Sequence, residues 1–347
     1  MQKAAKSRRP ARTTQIWRQF WAAVFAAAFA AAAVRAEEIN LYTDRQEVFL
    51  RAVIAEYESE SGDEVNTLFV KKGLLQRVQA EGDSSPADVF LAAGIGPLLD
   101  FVEDGRAAPL ADPEINAAIP ANLRGKNGQW FAVTRRVRAL YAAPGAESKV
   151  QTYADLAKPE NTSVCLRSGA HPYNNALFAD IIARRGREAA KKWMLAVKKN
   201  MARKPQGKDR AQINAVANGE CAFAVANSYY YFHLINNAEA ARKKILREKT
   251  ALIIPQDAHI NITGMALARR APHPEAAVRL MRFLAGKTAQ QMLAAQNFEF
   301  PARNDIPYPP ALRPYRNAVE NAEPLLAQTA KLRGIAAALY DETGFDR

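Results

Sequence analysis

Three consecutive tyrosines, Tyr229, Tyr230 and Tyr231, follow Asn227-Ser228 at the end of an apolar run, Ala222-Phe223-Ala224-Val225-Ala226. That run reads as a buried strand, which puts the tyrosines at its carboxyl-terminal junction. Successive side chains at a strand–loop junction point in different directions. A packed core would bury only some of these rings, and each buried hydroxyl would need a partner. Packing is the ordinary fate of such a run; the chemical alternative is a hard metal site. A free phenol ionises near about pH 10, but a trivalent cation can displace its proton, as bound metals do for other ligands. Ferric iron, Fe(III), suits anionic oxygen donors. Tyr229 and Tyr230 on a tight loop, joined by Tyr173 from a neighbouring strand end, would make such a set. Tyr173 follows Ser168-Gly169-Ala170-His171-Pro172, at an expected helix start whose amide groups favour anions.

Other chemistries lack their patterns. Gly94-Ile95-Gly96 has no third glycine for a dinucleotide fingerprint, and no P-loop occurs. His171, His233, His259 and His273 have no HExxH-like spacing, and no Gly-x-Ser-x-Gly elbow is present. Hydrolase, kinase and dehydrogenase readings are weakened accordingly.

The elements that would carry the tyrosines alternate. Ile39-Asn40-Leu41-Tyr42 reads as a strand, residues 46–61 as a helix ended by Gly62-Asp63, and residues 65–70 as a second strand. A short helix over residues 73–80 and a strand over 88–91 continue the pattern, which predicts a parallel sheet with crossover helices. Such sheets bind ligands beyond the carboxyl ends of their strands, where Tyr42-Thr43-Asp44-Arg45-Gln46 falls. A second α/β region follows. Residues 131–134 and 139–141 read as short strands around a basic patch of Arg135, Arg136 and Arg138. Residues 162–166 read as a strand. Helices are expected over about 174–184, 188–200 and 209–218, strands near 253–255 and 260–267, and mainly helix from about 274. The 347 residues suffice for two α/β lobes, each with its own core.

The first residues stand apart. Lys3, Lys6, Arg8, Arg9, Arg12 and Arg18 precede an apolar, Ala-rich run over residues 20–34 and then Val34-Arg35-Ala36. This is the layout of a secretory signal peptide (residues 1–36) cleaved after about Ala36. The run is shorter than the roughly 20 residues of a spanning helix, and a retained anchor is the alternative. Losing residues 1–36 removes seven basic residues and no acidic one, lowering the formal charge from +13 to +6. So modest an excess gives no support to nucleic-acid binding. Cys165 and Cys221 are the two cysteines, an even count that favours one disulfide in an exported chain; two buried thiols are the alternative.

At this point the sequence resembles the periplasmic ferric-ion-binding proteins of iron(III) ABC importers, on their tyrosine-ligand branch. The resemblance covers nearly all of the chain after residue 36 and rests most on Asn227-Ser228-Tyr229-Tyr230-Tyr231. Weaker support comes from Asn40-Leu41-Tyr42-Thr43-Asp44-Arg45-Gln46, Val70-Lys71-Lys72-Gly73-Leu74, Ser85-Pro86-Ala87-Asp88-Val89-Phe90-Leu91 and Cys165-Leu166-Arg167-Ser168-Gly169. It implies an α/β, two-lobed periplasmic-binding-protein fold (type II), with hinge strands and a cleft between lobes. Lobe 1 would span 37–133 with about 262–310 returning to it, and lobe 2 would span 134–261 with about 311–347.

By the same resemblance Tyr173, Tyr229 and Tyr230 would ligate Fe(III). Arg45 and Gln46, with Arg136 and Tyr42 nearby, would hold a synergistic carbonate-type anion or support the ligands. Some relatives of this type use a His and a Glu from the first lobe; Gln46 and Ala93 stand at those places here. Another branch has His-Tyr where this chain has Gln46-Glu47. The resemblance implies a periplasmic, monomeric carrier for a membrane permease, without catalysis. A rival reading is a carrier of the same fold for an organic cation such as a polyamine or thiamine. Such sites need aromatic cages and carboxylates, yet only Trp130 and Trp193 lie outside the signal, and no acidic residue adjoins the tyrosine run. A further rival is an exported enzyme on this scaffold.

Overall fold

The computed structural model describes residues 36–347. The expected signal peptide lies outside the described residues except for Ala36.

The alternation expected at the start is present: β1 (Glu38–Thr43), α1 (Arg51–Ser61), β2 (Glu64–Phe69), α2 (Leu74–Glu81), β3 (Val89–Ala92) and α3 (Ile95–Glu103). β1 lies between β2 and β3 and parallel to both, with Leu41 opposite Thr67 on one side and Val89 on the other. α1 stops at Gly62, whose φ of 76° is a left-handed cap that glycine adopts without a Cβ penalty. The helix expected from residue 46 starts later. Residues 47–49 form a tighter turn, in which the Phe49 and Leu50 N–H groups donate to the carbonyls of Gln46 and Glu47.

After α4 (Pro113–Ala118) comes β4 (Phe131–Ala142). Two short strands around a basic patch were expected there; one twelve-residue strand, buried along its whole length, is found. The arginines do not interrupt it because each has distant partners. Arg135 donates to Pro301 O at 2.7 Å and to Tyr308 Oη at 2.8 Å, and Arg138 donates to Asp209 Oδ2 and Asn174 Oδ1, both at 2.6 Å. A buried guanidinium is tolerated when so paired.

The chain continues through β5 (Val164–Cys165), α5 (Pro172–Arg185), α6 (Arg187–Asn200), α7 (Asp209–Ala217), β6 (Phe223–Asn227), α8 (Tyr229–Asn237) and α9 (Ala240–Lys249). Then follow β7 (Ala251–Ile253), β8 (Ile260–Leu267), α10 (Pro274–Ala285), α11 (Lys287–Asn297), β9 (Phe300–Pro301), α12 (Arg316–Glu320), α13 (Leu326–Lys331) and α14 (Arg333–Thr343). The strand order is β2-β1-β3-β8-β4-β6-β5, with β7 and β9 also paired to β4. Residues 131–137 of β4 pair with β8, and residues 138–142 pair with β6.

The buried apolar residues change company inside these two long strands. Val133 and Ile262 pack with Ile39, Phe90, Leu98 and Leu280, whereas Val137 and Ile260 pack with Tyr141, Val216 and Phe300. A third cluster holds Leu140, Phe178, Trp193, Val225 and Leu339. The expected disulfide is formed between Cys165 and Cys221, tying β5 to the start of β6. Among the described residues no helix is long and apolar enough to cross a membrane.

Candidate metal centre

β6 ends at Asn227, whose N–H donates to buried Asp209 at 2.9 Å, and the chain turns at Ser228 directly into α8. The tyrosine run, expected on a tight loop, is therefore the first turn of a helix. Helical geometry replaces the alternation of a strand end, so Tyr229 and Tyr230 lie side by side, ring centroids 4.2 Å apart. Tyr231 turns away, donating its hydroxyl to Thr250 O at 3.3 Å.

Tyr173 comes from the first turn of α5, where Pro172 opens the helix and the His171 ring caps it, accepting the Tyr173 N–H at Nδ1. Burial and the nearby Arg167 push the His171 imidazole down to about 4, so it is neutral and free to accept. The Tyr173 and Tyr229 hydroxyl oxygens are 3.5 Å apart, near enough for either to donate to the other. All three phenols thus sit at the amino-terminal ends of two helices, where the helix dipoles favour negative charge.

Burial, then the neighbouring Tyr173 and Tyr230, push the Tyr229 phenol well above its ordinary value, against Arg136 and Arg45. Tyr230 is pushed up to about 12 by burial and Tyr173. Two phenolates 3.5 Å apart would repel by roughly 5 kcal/mol at an effective dielectric constant near 20. Burial and mutual repulsion thus favour the neutral phenols of Tyr229 and Tyr230.

Two arginines border the tyrosines. Arg45 is buried; its guanidinium lies 4.3 Å from the Phe49 ring centre, and Nη2 donates to Glu299 Oε1 at 2.6 Å. Burial opposes its charge, but Glu299, Tyr229 and Tyr173 together hold its pKa above the usual value. Phe49 meets Tyr229 edge-on at 6.4 Å. Arg136 is only 2 % exposed; its Nη2 donates to Ile262 O at 2.7 Å and to Ala93 O, while Nε and Nη1 are buried with no partner among the described residues. Beside it, Tyr173, Asn227, His259 and Asn261 line a narrow internal space.

A larger cleft of about 710 Å³ opens on the other side of Tyr173, between Asp44, Lys71 and residues 93–97 on one wall and His171, Asn175 and Arg333 on the other. Burial raises the Asp44 carboxyl above its usual range, against the Ala93 N–H and the charges of Arg136 and Arg45.

Of the residues singled out from sequence, Tyr173, Tyr229, Tyr230, Arg45 and Arg136 are brought together. Gln46 is exposed beside Arg45 at the start of the tight turn. Tyr42 is not brought to the group: its ring packs in the first core and its hydroxyl donates to Glu81 at 3.0 Å. Sequence reasoning missed Glu299, which bonds both Arg45 and, at 2.6 Å, Thr134 Oγ1. It lies in no motif and 254 residues from Arg45. Asp209, which joins Arg138 and Arg167 behind Tyr173, opens the helix expected over 209–218 but carries no local sign of that role.

Known proteins share this architecture. Iron uptake protein A1 of Synechocystis is 34% identical over 279 residues, covering 78% of this chain and 77% of its own. The Bordetella ferric binding protein structure superposes with a TM-score of 0.83 at 38% identity, covering 89% of this chain and all of its own. Trichodesmium IdiA (FutA), in complex with iron and citrate ligands, gives 0.81 at 30% identity, covering 89% and 99%. Residues 84–326 match the model of the bacterial extracellular solute-binding proteins. The chain therefore belongs to the bacterial extracellular solute-binding protein family, a family of transport components and not of enzymes, with the two-lobed type II periplasmic-binding-protein fold.

Proposed function

We propose that this protein binds ferric iron through the phenolates of Tyr173, Tyr229 and Tyr230 and delivers it to the permease of an ABC importer. The observation that carries the reading is the convergence of phenols from two helices, with Tyr173 and Tyr229 3.5 Å apart. Ferric ion displaces three phenolic protons, and the trianion it creates cancels its own charge. The names of the relatives, an iron uptake protein and a ferric binding protein, support the same cargo.

A small anion would fill positions the tyrosines leave open, held by the unpartnered Nε and Nη1 of Arg136. Arg45, already joined to Glu299, is a positioning group for Phe49 and a source of positive potential. The lobes would divide at about 133/134 and 261/262, a reading supported by the change of core inside β4 and β8. Closure about those strands would present the loaded form to the permease. Release would follow protonation of the phenolates or reduction to the less charged ferrous ion. Export to the periplasm, cleavage after about Ala36 and a monomeric state complete the proposal.

The test is direct. Purified protein given ferric citrate should take up iron and develop a visible phenolate-to-iron charge-transfer band, and Tyr229→Phe should lose it. A colourless wild-type protein that takes up no iron would overturn the reading.

A further inference from the structure

Asp44 is the first residue after β1, at the carboxyl edge of the parallel strands where such sheets place their ligands. Its Oδ1 accepts the Ala93 N–H at 2.6 Å, which fixes the carboxylate to the end of β3. Among the described residues nothing donates to Oδ2 from another side chain, and Asp44 lines the same cleft as Tyr173, on the opposite wall.

The charges nearby are unevenly satisfied. Arg45 is neutralised by Glu299, whereas Arg136 keeps two buried nitrogens, Nε and Nη1, without partners among the described residues. Iron with three phenolates has no net charge. A fourth anionic oxygen would leave one negative charge, which Arg136 balances. Carboxylate oxygen is also a donor that a hard trivalent ion accepts.

We propose that Asp44 is a further iron ligand, supplied through Oδ2 from the wall facing the tyrosines and seated as the cleft closes. This rests on the ferric reading above. The carboxylate donates a lone pair to iron at a position the phenolates leave open, with no proton transferred. The tyrosines capture the ion, and Asp44 makes retention depend on closure.

Asp44→Asn keeps an oxygen for the Ala93 N–H and so keeps the fold. Wild type and variant are loaded with ferric nitrilotriacetate in bicarbonate-free buffer, then challenged with excess chelator. Both should show the visible band, because the tyrosines are intact. The variant should release iron roughly ten-fold faster or more, with an altered ferric electron paramagnetic resonance spectrum. Added bicarbonate should slow its release more than that of wild type, and Asp44→Glu should partly restore retention. A variant with the band, spectrum and release rate of wild type overturns the assignment of Asp44 while leaving the ferric reading standing. Absence of the band in wild type removes both.

Discussion

Tyr173 and Tyr229 stand 56 residues apart in the chain, yet their hydroxyl oxygens are 3.5 Å from each other. Each is the product of a separate helix start, one opened by Pro172 under a histidine cap and the other following β6 without a loop. A pair of neutral phenols at this distance is satisfied by sharing a proton; a pair of phenolates is not.

The first consequence separates Tyr231 from its neighbours. Tyr173→Phe should abolish or strongly shift the visible ferric band. Tyr231→Phe should leave it in place, because that hydroxyl is committed to Thr250 O. Its loss should cost about 1 kcal/mol of stability. Absorbance titration with ferric ion and a urea melt on each variant check both statements.

Alkali should weaken the iron-free protein. Burial pushes Tyr230, Tyr231 and Tyr308 each up to about 12. A phenol whose folded value is raised contributes stability that is fully present below its unfolded value near about 10 and is lost as pH rises through the folded value. The urea midpoint should therefore hold steady over about pH 7 to 9 and fall between about 10 and 12. Iron should oppose only the part of the trend that comes from Tyr230, because of these three protons binding displaces that one alone. Retention of the metal should improve with rising pH and fail on acidification, which chelator competition across pH would read.

Arg333 bridges the walls of the large cleft. From the start of α14 it reaches Asp100 of α3 with both terminal nitrogens, at 2.6 and 3.2 Å, while its carbonyl accepts from Asn175 of α5. The pair is about one-third exposed, so Arg333→Gln should cost only about 0.2–1 kcal/mol of stability. Its larger effect should be on the balance of open and closed forms, seen as a change in radius of gyration by small-angle scattering. Gly96→Ala should act in the same direction, since an added Cβ would collide with the Arg333 guanidinium.

Asp209 is the buried counter-charge behind the site. It accepts from Arg138 at 2.6 Å, Arg167 at 2.9 Å and the Asn227 N–H at 2.9 Å. Burial raises its carboxyl, but Arg138, the Asn227 N–H and Arg167 outweigh that and hold it below the usual range. Asp209→Asn should cost about 3–5 kcal/mol, because two guanidinium groups lose the one carboxylate they share among the described residues. Denaturant unfolding measures this, and the iron band should weaken with it, since Asn227 leads directly into Tyr229.

Much of this was legible in the chain. The alternation of residues 39–91, the Gly62 stop and the helix beginning near Tyr173 follow local rules of periodicity and turn chemistry. The pairing of Cys165 with Cys221 follows from an even count. What escaped reading is decided at long range. β4 looks broken at Arg135, Arg136 and Arg138 until Pro301, Ile262 and Asp209 are brought beside them. The tyrosine run looks like a loop because aromatic residues carry little helical signal, and its helix is secured by packing against α9 and α7. Glu299 gives no local sign at all. Its neighbour Phe298 adopts φ 55°, a backbone state few non-glycine residues take, at the end of α11 where Glu299 turns toward Arg45.

β4 and β8 belong to both halves of the sheet, so the halves are tethered and cannot drift apart. A cargo caught by one wall meets the other at an effective concentration set by covalent tethering, not by diffusion. The translational entropy that two free partners would lose on meeting has already been lost in folding. On the ferric proposal a few oxygen atoms would then clasp the ion firmly, and a modest twist of two strands would withdraw one wall and open it to protonation or reduction.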